Sequence, residues 1–239
     1  MTLDGRTALV TGGGGVLGGA VAALLAERGL QVAVGYRENA DTAKALADRV
    51  NGVPVRVDVR DPDSVRAAFR QVKSELGPVT VLVNSAGVLR DRPLLRMRDG
   101  DWGDVLATNL TGAFHCVRQA LPAMVAARFG RVVSIGSVSG SIGTPGQANY
   151  AAAKAGLVGL TRSLAREAGR QGVTANVVAP GLLRSALTEH VPDGVWDAYR
   201  EHTATGELVD PHDVARAVLL CVESRGITGQ VINVDGGIA

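Results

Sequence analysis

Short apolar runs recur along the chain at residues 6–11, 31–35, 53–58, 79–84, 130–136, 173–179 and 229–234. Each has the length of a strand, and several are continuously apolar rather than alternating, which suits strands buried on both faces. Between the runs the apolar positions take up a helical period, as in Leu17, Val21, Leu24 and Leu25. Strands that alternate with helices call for parallel pairing, because each crossover must return the chain to the same end of the sheet. The pattern therefore predicts an α/β chain: a doubly wound, seven-stranded parallel sheet with helices on both faces. No internal repeat, Ser/Pro-rich linker or low-complexity tract divides it, so residues 1–239 read as one domain. The stretch near residues 185–208 is expected to form a mobile lid over a substrate.

Composition narrows the function by exclusion. A hydrophobic content of 46% can fill one core of this size, and the formal charge of +2 carries no basic tail. With two Trp, three Tyr and three Phe in the whole chain, a nucleic-acid surface has little support. No leader with a basic start and apolar centre is present, and no apolar stretch has membrane-spanning length, so the expectation is a cytoplasmic protein with no membrane partner. Cys116 and Cys221 lie in helical patterns without metal-ligand spacing and read as packing residues; no metal site is expected.

Two local patterns carry candidate chemistry. The apolar run ending at Thr11 meets Gly12-Gly13-Gly14-Gly15 and then Val16-Leu17-Gly18 opens a helical pattern. Such a strand–loop–helix converges free amides and a helix dipole on a point where a pyrophosphate can sit. Further on, Tyr150 precedes Lys154 by one helical turn, and Ser137 lies thirteen residues upstream of the tyrosine. Of the 25 basic side chains only Lys44, Lys73 and Lys154 are lysines, so the placement of an amine here is selective. A phenol with a pKa of about 10 is a reluctant acid or base near neutrality. An ammonium at i+4 is expected to favour the phenolate and bring Tyr150 towards a working range.

Taken in order, Thr11 to Gly18, Asp58-Val59, Asn84-Ser85-Ala86-Gly87, Asn109, Gly136-Ser137, Tyr150-x-x-x-Lys154, Pro180-Gly181 and the closing Gly229 to Gly237 resemble a short-chain dehydrogenase/reductase over essentially the whole chain. Within that family the resemblance is to the 3-oxoacyl-(acyl-carrier-protein) reductases, and it implies a Rossmann-like fold. It also implies cofactor contacts from Gly12, Gly14, Gly15, Val16 and Leu17 to the pyrophosphate, from Asp58 and Val59 to the adenine, and from Asn84, Ala86 and Gly87 at the end of the fourth strand. Pro180, Gly181, Leu183 and Ser185 would meet the nicotinamide, with the Leu183 backbone and the Ser185 hydroxyl on its carboxamide. Asp58 has a second reading as the cap of the helix that begins near Pro62. Three positions depart from the family pattern: Val16 stands where a glycine is usual, Ser85 replaces a second asparagine, and Gly15 lacks the basic residue of many phosphate-preferring relatives. At the end of the second strand there is no acid to hold a ribose, whereas Arg37 suits the 2′-phosphate of NADPH.

The mechanism implied by the resemblance has Ser137 hydrogen-bonding a carbonyl oxygen and Tyr150 protonating it. Lys154 lowers the tyrosine pKa and binds the nicotinamide ribose, and Asn109 holds a water that links Lys154 to solvent. The expected reaction is NADPH-dependent reduction of a 3-oxoacyl thioester, carried on an acyl carrier protein, in fatty-acid or polyketide-type synthesis. Arg128, Arg162, Arg166 and Arg170 offer positive charge to such a partner, while Gln171 stands where a second basic residue is usual. The lid contributes Leu187, Val191, Val195, Trp196 and Tyr199 to a largely apolar pocket. Assembly as a homotetramer on helices near 101–127 and 149–169 and the last strand is also implied. Alternatives are a reductase or dehydrogenase of a free ketone, alcohol or sugar, and, from another class, a non-catalytic NADPH-binding sensor or assembly subunit.

Overall fold

A computed structural model describes residues 3–189 and 191–238, so residue 190 of the expected lid lies outside the described residues. Seven parallel strands form one sheet in the order β3-β2-β1-β4-β5-β6-β7. They are β1 (Thr7–Thr11), β2 (Gln31–Tyr36), β3 (Val53–Arg56), β4 (Val79–Asn84), β5 (Gly130–Ile135), β6 (Val173–Pro180) and β7 (Val231–Val234). The continuously apolar runs account for the middle of the sheet, where every residue of β1, β4, β5 and β6 is buried. The edge strands β3 and β7 are partly exposed. Both are also shorter than their apolar runs. The ladder of β3 stops where the chain turns towards a capped helix, and β7 starts only after Gly229, which has a left-handed φ of 71°.

Helices α1 (Val16–Glu27) and α2 (Ala40–Arg49) cover one face with α9 (Pro211–Glu223), while α3 (Pro62–Glu75), α5 (Gly112–Ala126) and α7 (Ala148–Ala168) cover the other. Each face has its own apolar cluster, with Val21, Leu25, Val214 and Val218 on the first and Val65, Phe69, Met124 and Leu164 on the second. Near the second face α4 (Asp99–Leu106) runs into α5 through a π turn at Ala107–Thr111. The short α6 (Ser139–Ile142) follows β5, and α8 (Asp193–His202) lies in the lid. Two helices start on designed caps. Asp61 accepts from Asp63 N at 2.9 Å ahead of α3, and Asp210 accepts from His212 N at 2.8 Å ahead of α9, each with Pro at the first helical position. The cap before α3 is therefore Asp61, which removes that role from Asp58.

Candidate active site

The strand order reverses between β1 and β4, and the loops leaving these two strands diverge into a crevice at their C-terminal ends. The hydroxyl of Thr11 ties the loops together by accepting from the main-chain N–H groups of Ser85 (3.1 Å) and Ala86 (3.2 Å). Gly12 has a φ of 64°, and a Cβ there would stand 2.9 Å from Ala86 Cα, so this position admits only glycine. In contrast to α3 and α9, α1 begins at Gly15 with no side-chain cap and no acidic residue in its first turn. Its first amides have no intrahelical acceptor, and the positive end of its dipole is left for an anion. The residues present thus fit a dinucleotide pyrophosphate. Leu17 packs its side chain against the core, so only its amide is available to a ligand. Val16 is helical and its φ is not positive, so the valine brings no backbone strain; its side chain is half exposed at the loop. Asn84 is buried and donates to Ser134 Oγ at 3.3 Å, while its Oδ1 has no partner among the described residues.

Ser137 follows β5, and its Oγ accepts from Ser139 N at 3.2 Å. Tyr150 and Lys154 lie one turn apart on α7, and the Tyr150 phenol is hydrogen-bonded with Ser137. Lys154 is 5% exposed, donates from Nζ to Ile135 O at 2.7 Å, and stands 5.3 Å from the centre of the Tyr150 ring. The fold brings Ser137, Tyr150 and Lys154 together, but it does not give the acidity expected from the spacing. Burial pushes the Tyr150 phenol up to about 12; the Ser137 hydrogen bond acts against that rise, and the negative charge of Asp91 adds to it. Burial also pushes Lys154 down to about 8. Withdrawal from water is the largest influence on the phenol, and the Ser137 hydrogen bond only partly opposes it.

Asn109 lies buried in the π turn, with both ends of its amide engaged. Oδ1 accepts from Val88 N and Nδ2 donates to Val88 O, each at 2.9 Å. The side chain expected to hold a water instead clamps the exit of β4, and a Cβ on Gly87 would press on it at 3.1 Å. A residue missed in the sequence, Asn149, is 0% exposed. Its Nδ2 donates to Arg90 O (3.1 Å) and Asp101 O (3.0 Å), and its Oδ1 accepts from Tyr150 N (2.8 Å). It fastens the catalytic turn of α7 to the loop after β4 and to α4. Its only sequence signal is adjacency to Tyr150, since the partners are more than forty residues away.

At the far end of the crevice, Arg37, Arg56, Asp58 and Arg60 line a cleft of ≈ 310 Å³. Asp58 is clasped by Arg60, with Nε to Oδ1 at 2.9 Å and Nη2 to Oδ2 at 2.6 Å, and this pairing holds its carboxyl below the usual range. Val59 is buried, and its carbonyl lies 3.0 Å from His115 Nδ1. Beyond β6, Gly181 donates to Val234 O at 2.9 Å, and Leu183 packs its side chain in the core. Ser185 N donates to Thr188 Oγ1 at 2.9 Å. Trp196 and Tyr199 do not face a pocket as lid linings. Trp196 is buried, donates from Nε1 to Val191 O at 3.1 Å, and lies under the Arg184 guanidinium at 4.5 Å. Tyr199 Oη accepts from Leu182 N at 2.9 Å. Both aromatics anchor α8 to the scaffold, leaving Leu187 and Val195 as the exposed apolar groups of the lid.

Residues 15–239 match a family model described as enoyl-(acyl carrier protein) reductase. The chain is 42% identical to the 3-oxoacyl-(acyl-carrier-protein) reductase FabG of Vibrio cholerae, covering 100% of this chain and 99% of the relative. It is 40% identical to the FabG of Escherichia coli over the same shares. The chain belongs to the short-chain dehydrogenase/reductase family. Among solved structures, this short-chain dehydrogenase/reductase superposes on a gluconate 5-dehydrogenase from Burkholderia cenocepacia in complex with NADP and tartrate, with a TM-score of 0.93, 30% identity and coverage of 98% and 95% of the two chains. A structure described as ribose-5-phosphate isomerase from Brucella melitensis gives a TM-score of 0.92 at 33% identity, covering 98% and 93%. Different named activities on one scaffold show that the reaction must be argued from the site residues.

Among the described residues no group of three His, Cys, Asp or Glu side chains is placed to hold a metal, and no helix is long and apolar enough to cross a membrane. Both cysteines are free and buried; burial pushes the Cys116 thiol up to about 12 and Cys221 up to about 11, so neither is a thiolate at neutral pH.

Proposed function

We propose that this protein catalyses NADPH-dependent reduction of a 3-oxoacyl thioester, borne on an acyl carrier protein, to the 3-hydroxyacyl thioester. The observation that carries the reading is the Ser137–Tyr150–Lys154 constellation beside an uncapped, glycine-bounded helix start, in a chain about 40% identical to 3-oxoacyl reductases over its full length. NADPH, when bound, supplies the hydride that reduces the carbonyl carbon. The glycine loop and the amides of Val16 and Leu17 would hold its pyrophosphate, and Asp58 its adenine. Ala86, Gly87, Pro180 and Gly181 would border it, and Asn84 Oδ1, the Leu183 main chain and the Ser185 hydroxyl would offer polar contacts.

The chain's own contribution is a loaded proton donor and a donor pair for the developing oxyanion. Ser137 donates to the carbonyl oxygen and Tyr150 gives it the phenolic proton. Burial raises the pKa of the Tyr150 phenol, so it carries its proton at neutral pH, as a donor to the carbonyl oxygen must. The Lys154 ammonium stabilises the phenolate that remains and reaches the ribose hydroxyls. Since the Asn109 amide is committed to Val88, its side chain is not free to hold the water expected of it.

The carrier protein would meet exposed arginines. Arg128 Nη2 donates to Arg170 O at 3.3 Å, which holds the Arg128 side chain against the turn that carries Arg170 and Gln171. A homotetramer is supported by Trp102 and Phe114, half exposed on α4 and α5, and by the unpaired outer edge of β7. The cytoplasm is the matching compartment, with a reduced nucleotide pool and two free thiols. A free-ketone or sugar reductase is the second reading, favoured by Gln171 and the likeness to the gluconate 5-dehydrogenase. The deciding assay follows NADPH absorbance with an acetoacetyl thioester on N-acetylcysteamine and on a carrier protein, beside a cyclic ketone. Faster turnover on the carrier supports the proposal; activity on the free ketone alone refutes it in favour of the second reading.

A further inference from the structure

The cleft at the ends of β2 and β3 contains three guanidinium groups, on Arg37, Arg56 and Arg60, facing the carboxylates of Glu38, Asp58 and Asp61. Most of these groups are already engaged. Arg60 holds Asp58 with two short contacts, at 2.9 and 2.6 Å, and Asp58 also accepts from Arg60 N at 3.0 Å. Arg37 Nη2 lies 2.7 Å from Glu38 Oε1, and Asp61 caps α3. The guanidinium of Arg56 has no ion-pair or hydrogen-bond partner among the described residues and is exposed to the cleft. Arg56 is the last residue of β3, in register with Tyr36, and it lines the same cleft as Arg37. Val57 N donates to Tyr36 O at 2.7 Å, so the extended chain continues and places Arg56 on the same side as Asp58.

We infer that Arg56, an element the motif pattern does not assign, is the principal contact for the 2′-phosphate of the cofactor. Arg37 is the second cation, and Arg60 is a positioning residue that holds Asp58 for the adenine. The inference rests on the NADPH-dependent reading above. A phosphate dianion entering a cleft whose formal charges balance needs cations that are free or easily released. Arg56 is free, and the Arg37–Glu38 pair is a half-exposed surface pair of the kind that contributes little to stability. The Arg60 clasp is the stronger commitment, and breaking it would also release Asp58. Gly15, at the start of α1, supplies no cation, so the phosphate charge falls to the strand side of the cleft.

The test is titration of the full-length protein with adenosine 2′,5′-bisphosphate and 5′-AMP by calorimetry, and with NADPH and NADH by fluorescence, for the wild type, Arg56→Met and Arg60→Met. Arg56→Met is expected to weaken the bisphosphate and NADPH by about tenfold or more, the loss of a charge-assisted hydrogen bond, with 5′-AMP and NADH unchanged. Its salt dependence for NADPH should also be shallower. Arg60→Met should weaken all four ligands alike. Unchanged bisphosphate affinity in Arg56→Met, or an equal loss for 5′-AMP, overturns the assignment of Arg56. A wild-type protein that prefers NADH to NADPH instead overturns the cofactor reading itself, and the inference with it.

Discussion

Replacing Lys154 by methionine should make the protein more stable while removing its activity. Lys154 is 5% exposed, and burial moves its pKa from 10.5 to about 8. The native state therefore releases the proton near pH 8, whereas the unfolded chain keeps it to about 10.5; between these values the unfolded state binds more protons, and stability rises with pH. At pH 7 both states are charged, and a shift of ~2.5 units corresponds to a penalty of about 3 kcal/mol against a neutral amine. At pH 9.5 the same relation leaves about 1.4 kcal/mol. Methionine fills similar volume without charge, but it forfeits the 2.7 Å bond to Ile135 O, at a cost of about 1 kcal/mol. Lys154→Met should thus exceed the wild type by about 2 kcal/mol at pH 7 and by under about 1 kcal/mol at pH 9.5. Urea unfolding at matched protein concentration and both pH values measures this difference, with NADPH consumption on an acetoacetyl thioester as the companion assay. A variant less stable than the wild type at pH 7, or a gap that does not close with pH, would refute the desolvation argument. Wild-type turnover in the variant would remove Lys154 from the mechanism.

Three further outcomes are open to direct measurement. Tyr150→Phe should abolish turnover, by a factor of roughly 10² to 10⁴ for loss of a general acid, while NADPH affinity stays within a few fold; retained turnover defeats the mechanism. Val16→Gly should tighten NADPH binding by letting the pyrophosphate approach the loop more closely, at the cost of up to about 1 kcal/mol of helix stability; unchanged or weaker affinity in a fluorescence titration means the valine does not narrow the cradle. Asn149→Ala leaves two carbonyls and the Tyr150 amide without their partner and should destabilise by about 2–5 kcal/mol. It should also lower kcat more than it raises KM, and a loss confined to thermal stability would limit Asn149 to a structural role.

The seven strands, their parallel pairing and the helices between them were legible in the chain itself, because continuously apolar runs and a 3.6-residue period are local consequences of burial on two faces or one. The meeting of Ser137, Tyr150 and Lys154 was likewise implied by ordered landmarks and by the one-turn spacing on α7. Other features depended on groups brought from distant elements. Asp58 has a second reading in the sequence as a helix cap, and only the structure puts Asp61 in that place and Arg60 on the Asp58 carboxylate. Trp196 and Tyr199 look like pocket linings in a row of lid residues, yet their polar atoms are taken by Val191 and Leu182. Asn149 has no signal in its own neighbourhood because its partners lie in the loop after β4 and in α4. The acidity of Tyr150 shows the division most clearly. A lysine at i+4 argues for a lowered pKa, but the pKa depends on how much water the surrounding chain excludes, and only the packed structure of α7 against β5 and its neighbouring loops decides that.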